Sequence, residues 1–200
     1  MASYECHVTV MPADEAALKA YCAAHGHKFM CALNESGSFP RQAMASIKGS
    51  GGITEEEMIK RSKELARSIE AAGIQVVRTK TEELVSRKRL NDDTPLKAPQ
   101  YWEMHLKVPM LNAAHVASLE GFKPDVHLSH NVTKYPDPQQ LPNEVLVTMR
   151  LRGASGHGFA CAVSVLRGLM TENGLPAPVT THQERVIYDD NVELDSGWCQ

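Results

Sequence analysis

The chain has few aromatic residues, 6% of the total, no Cys-x-x-Cys pair and almost no net charge, −3 over 200 residues. Each shortage excludes something. A zinc knuckle or a disulfide framework needs closely spaced cysteine pairs, whereas Cys6, Cys22, Cys31, Cys161 and Cys199 are odd in number and scattered, so they read as reduced thiols. A spanning helix needs about 20 consecutive apolar residues. The best run here, Phe159 to Val165, is seven long and includes a serine, so no membrane segment is expected. Neither half is basic: Lys and Arg number 13 against 13 acidic residues over 1–96, and 8 against 11 over 97–200. Attraction to a long polyanion draws on clustered cations, so nucleic acid is not an expected partner. The start, Met-Ala-Ser-Tyr-Glu-Cys-His, has no basic then apolar leader, and a cytoplasmic location is expected.

What is present is histidine, nine residues, and a repeat. Tyr4-Glu5-Cys6-His7-Val8-Thr9-Val10 aligns with Trp102-Glu103-Met104-His105-Leu106-Lys107-Val108, 98 residues on. Both stretches alternate. Cys6, Val8, Val10 and Met104, Leu106, Val108 are expected to face a core, with Glu5, His7, Thr9 and Glu103, His105, Lys107 on the opposite face.

Similar elements follow in each half. Asp14 caps a helix through Leu18, Tyr21 and Cys22 to Gly26, and Asn112 caps one through Val116 and Leu119 to Gly121. Strands are expected at 28–33 and 42–48, then at 125–131 and 144–152. Thr54 and Glu57 form a capping box for a second helix; its counterpart carries Phe159, Val163, Leu166 and Met170. Strands at 74–82 and 179–188 close the halves. The order βαββαβ, twice, predicts an α+β protein of two tandem ferredoxin-like repeats with antiparallel sheets, packed as one compact pseudo-symmetric unit. The first repeat spans 1–86, an exposed linker 87–100, and the second repeat with its tail 101–200.

Helices on one face of each sheet would leave the other face open, as a polar cleft. That face collects His7, His105 and His127 as acid/base candidates, with Thr9, Lys107, Ser129, Asn131, Arg150 and Arg152 as binding candidates. Arginine supplies charge and paired hydrogen bonds, and histidine moves protons near neutral pH, a combination suited to a small anionic, phosphorylated molecule. If the reaction is enzymatic, phosphoester hydrolysis or transfer is expected. The glycine-rich turns 48–52 and 152–158 precede helix N-termini and offer a second place for phosphate. No cofactor is expected, but Glu5 and Glu103 with His7 and His105 make an alternative divalent-metal set. A further alternative is a non-catalytic interaction module whose open sheet faces pair in a homodimer.

Two resemblances bear on this. The triplets His7-Val8-Thr9 and His127-Leu128-Ser129 are similar to the His-x-Thr/Ser signature of two-histidine phosphoesterases, in which such histidines act as acid and base; the internal repeat instead aligns His7 with His105, where Lys107 replaces the hydroxyl. The ending Val186 to Trp198, with the strand His127 to Asn131, resembles an uncharacterised family of duplicated α+β proteins and implies that fold without an activity. In the tail, Leu194 and Trp198 are expected to dock, with Asp189, Asp190, Glu193 and Asp195 in water.

Overall fold

The structure is a computed structural model that describes residues 2–34, 37–109, 126–131 and 144–196, apart from the side chains of Arg87, Lys88, His127, His130 and Asn131. Its strands are β1 (Ser3–Val10), β2 (Lys28–Asn34), β3 (Arg41–Gly49), β4 (Val76–Leu84), β5 (Tyr101–Pro109), β6 (Val126–Asn131), β7 (Glu144–Arg152) and β8 (Thr180–Asp189). The helices are α1 (Glu15–His25), α2 (Glu55–Ala71), the single turn α3 (Arg87–Leu90) and α4 (Gly156–Glu172). Local signals set the helix ends: Gly26 adopts the left-handed conformation that stops α1, and Thr54 Oγ1 and Ser155 Oγ accept the backbone N–H of Glu57 and Gly158 at the starts of α2 and α4. The helix expected from Asn112 to Gly121 lies outside the described residues.

The strands close into one barrel in the order β1-β3-β2-β6-β7-β5-β8-β4, with antiparallel pairing throughout. This overturns the α+β reading of two duplicated ferredoxin-like units with open sheets. The first four strands make one arc, β4-β1-β3-β2, whose edge strands do not stay open. β2 pairs with β6 and β4 with β8, so every edge that would otherwise present unpaired N–H and C=O groups is satisfied by the other half. The supposed cleft between two sheets is the inside of a single barrel.

The apolar faces point outward, under the helices. Cys6, Val8 and Val10 of β1 are fully buried against Leu18 and Cys22 of α1 and Met58 and Ile69 of α2. Met104, Leu106 and Val108 of β5 are buried with Phe159, Val163, Leu166 and Met170 of α4. Each such side chain contributes about 1.5–3 kcal/mol by leaving water, so the helices clamp the barrel wall from outside. The polar alternates are thereby turned inward.

In the stretch between the halves, residues 91–95 and 97–99 are exposed while Leu90 and Leu96 are half-buried. Leu90 and Leu96 pack on the second apolar cluster, Leu96 N–H donates to Ala154 O, and His157 N–H donates to Asp92 O. The chain approaches so closely that a Cβ at Gly156 would overlap the Arg89 carbonyl oxygen.

Candidate functional site

Inward-facing side chains enclose a cavity of about 470 Å³, within the range of small-molecule sites. Its exposed lining includes Lys48, 65% exposed, and Lys28, 58% exposed, both paired with Glu5 at 3.2 and 3.8 Å. Its deep lining includes Asn34, Gln42, Arg78, Glu82 and Thr148, all buried, and Met30, Met44 and Leu146 give part of the wall an apolar character.

Two histidines in this cavity are held in the same way. His7 sits opposite Ser46 in the β1–β3 register, and its Nδ1 is 2.8 Å from Ser46 Oγ while Nε2 is 3.2 Å from Glu82 Oε2. His105 sits opposite Thr148 in the β5–β7 register, with Nδ1 2.8 Å from Thr148 Oγ1 and Nε2 3.3 Å from Glu184 Oε2. Each imidazole thus lies between a hydroxyl and a carboxylate, which fixes its ring plane. Thr148, His105 and Glu184 all line the cavity.

Lys80 joins the two constellations: its ammonium is 2.5 Å from Glu82 and 2.7 Å from Glu103, and Glu103 also accepts from Arg150 at 2.7 Å. Burial alone would push the carboxyls of Glu82 and Glu103 upward. Nearby partners outweigh it: Lys80, with the contact from His7, holds Glu82 below the usual carboxylate range, and Lys80 and Arg150 hold Glu103 far below it. Burial likewise favours neutral imidazole at His105, but Glu103 and Glu184 overcome it and raise this group to about 10. Glu184 moves up, because burial and the neighbouring Glu82 charge exceed the pull of His105. At neutral pH, His105 therefore holds a proton beside a carboxylate whose own affinity for protons is raised.

Glu82, Glu103, His105 and Glu184 also bring their ligand atoms within 4.8 Å of one another, a spacing that a divalent cation can bridge. The Lys80 ammonium already supplies positive charge to two of them. Of the metal set expected from the sequence, Glu103 and His105 belong to this group. Glu5 lies instead with Lys28 and Lys48, and His7 contributes through its contact to Glu82.

Among the other candidates, Thr9, Lys107 and Ser129 line the cavity, Lys107 paired with Glu144 at 2.6 Å. His127 and Asn131 have their backbones on β6, but their side chains lie outside the described residues. Arg150 is buried between Glu103 and Asp195, and Arg152 is exposed, 5.4 Å from the Tyr101 ring centre. In the glycine-rich turns, a Cβ at Gly49 would press on Met58 and Ile53 and one at Gly156 on Arg89, while Gly51, Gly52 and Gly153 have open space and a left-handed backbone. Asp189 and Asp195, expected in water, are buried on Arg78 at 2.5 and 2.7 Å. Trp198 lies outside the described residues.

Sequence reasoning missed Arg78, Lys80, Glu82 and Glu184. The signal that finds them is the same alternation that finds His7, applied to β4 and β8, where Arg78, Lys80, Glu82 and His182, Glu184 recur at every second position. No protein-family model matches this sequence, and none of the curated proteins matches it. No helix among the described residues is long and apolar enough to cross a membrane.

Proposed function

We propose that the barrel interior binds a small anionic molecule and moves a proton on it, with His105 and Glu184 as the proton-holding pair and His7 with Glu82 as its counterpart. The observation that carries this reading is that both histidines meet the same cavity, each fixed between a hydroxyl and a carboxylate. A general acid must stand in hydrogen-bond reach of its target and keep its proton until it is needed; both His105 nitrogens are taken by Thr148 and Glu184, so the proton reaches a bound ligand through Glu184, which lines the same cavity. Lys28, Lys48 and Lys107, against Glu5 and Glu144, give the accessible lining a positive excess that draws anions inward. The apolar wall suits the carbon skeleton of an organic anion. Free thiols at Cys6, Cys22, Cys31 and Cys161 agree with a reducing, cytoplasmic setting.

The test is a thermal-shift screen with small phosphate esters and carboxylates on the parent, His105→Gln and Glu184→Gln. The expected result is a saturable rise in melting temperature for at least one compound class in the parent, with turnover or proton exchange of that compound lost in both variants. No response in the parent to any compound would overturn the reading.

A further inference from the structure

Asp195 is held in the manner of a bound anion. It belongs to the short 3₁₀ turn Val192–Asp195 that follows β8, outside every strand, yet its carboxylate is buried. Arg78 Nη1 donates to Oδ2 at 2.7 Å, Arg150 Nη2 donates to the same oxygen at 2.8 Å, and Gln42 Nε2 donates to Oδ1 at 3.2 Å. Donors from β4, β7 and β3 thus converge on both oxygens of one planar group.

We propose that Arg78, Arg150 and Gln42 form a carboxylate-binding site at the deep end of the barrel cavity, and that Asp195 fills it as a displaceable ligand supplied by the chain itself. The inference rests on the reading of the interior as a ligand site and names the ligand class: a small carboxylate. Three relationships support it. Arg78 and Gln42 also line the cavity, so the site and the cavity share a wall. Each arginine has a second carboxylate of its own: Asp189 accepts from Arg78 at 2.9 and 2.5 Å, and Glu103 accepts from Arg150 at 3.1 and 2.7 Å. Removing Asp195 therefore leaves each guanidinium with one anion of its own, which is what exchange of this carboxylate requires. Finally, the turn is tied back beyond Asp195 through exposed contacts, Ser196 Oγ to Ser38 Oγ at 2.9 Å and Ser38 N–H to Ser196 O at 3.1 Å, which exchange with water at little cost. The group that the two guanidiniums and the amide hold in the structure is a carboxylate, so a small carboxylate is the ligand class the site is proposed to take.

The experiment is an acetate titration of Asp195→Gly at constant ionic strength, read by thermal melting, with chloride as the control and inorganic phosphate as a second anion. The variant is expected to melt below the parent and to regain about 2–4 °C in a saturable way with acetate, less with phosphate and not with chloride, while in the parent, where Asp195 competes for the site, acetate gives a smaller saturable rise and chloride none. Equal responses to acetate and chloride, or equal responses in variant and parent, would overturn the proposal. Should the glycine variant not fold, calorimetry on Asp195→Asn serves: acetate binding tighter than in the parent supports the site, and no heat in either protein refutes it. Adding His105→Gln to Asp195→Gly leaves the acetate response in place, so the failure of this site and the failure of the acid–base reading are read separately.

Discussion

His105 Nε2 lies 3.3 Å from Glu184 Oε2 inside the barrel, and Glu103 Oε2 stands 3.6 Å from the same nitrogen. Two carboxylates on one imidazole keep His105 charged against the cost of burial. The contact couples folding to pH as well as defining the proposed chemistry.

Stability should therefore fall on the alkaline side in a way that depends on His105. Its folded value, about 10, lies above the ordinary imidazole value near 6.5, so the folded chain keeps a proton that the unfolded chain releases. This contribution is complete below about pH 6.5 and is lost as pH rises toward about 10. Urea denaturation of His105→Gln is expected to show a flatter decline over that interval than the parent; parallel curves would contradict the assignment.

Lys80 holds Glu82 and Glu103 together, and Lys80→Met leaves both carboxylates without their shared cation. Removing one partner of a buried ion pair costs about 3–5 kcal/mol. Urea denaturation should report a loss of that size, and Glu82→Gln added to Lys80→Met should restore part of it by removing one uncompensated charge.

Gly156→Ala introduces a methyl group against the backbone of Arg89, an atom that cannot rotate away. The expected loss is about 1–3 kcal/mol, the usual cost of overpacking, seen as a lower melting temperature. Gly168→Ala, on the same helix with open space around it, is the matched control and should not destabilise.

The seam between β2 and β6 is joined by three register pairs among the described residues, Ala32 with Asn131, Leu33 with His130 and Asn34 with Ser129, against nine between β5 and β7. Local opening begins where such pairing is sparse. Hydrogen exchange should find the amides joining β2 to β6 less protected than those of Cys6 and Val8 in β1.

Much of this arrangement follows from alternation that can be read along each strand. Cys6, Val8 and Val10 face a core, His7 and His105 face away from it, and Thr54 and Glu57 start a helix, because each of these outcomes depends on residues a few positions apart. Closure depends on something else. The edges of β2 and β6 are joined by backbone groups that every residue carries, across about a hundred residues of chain, so polar strand faces suggest an open surface equally well. The tail misleads for the same reason: Asp189 and Asp195 look solvated until Arg78, 111 and 117 residues away, is brought to them by the barrel. The Glu-x-His repeat points toward the site but not to its composition, since Glu184 and Lys80 enter from β8 and β4.

The most direct test of the central claim, a charged His105 held by carboxylates inside a closed barrel, is a nitrogen and proton NMR titration of its ring from pH 5 to 11. The account predicts an imidazolium that persists to about pH 10 and keeps its hydrogen bond to Thr148 Oγ1. A ring that titrates near the ordinary value of 6.5 would contradict it.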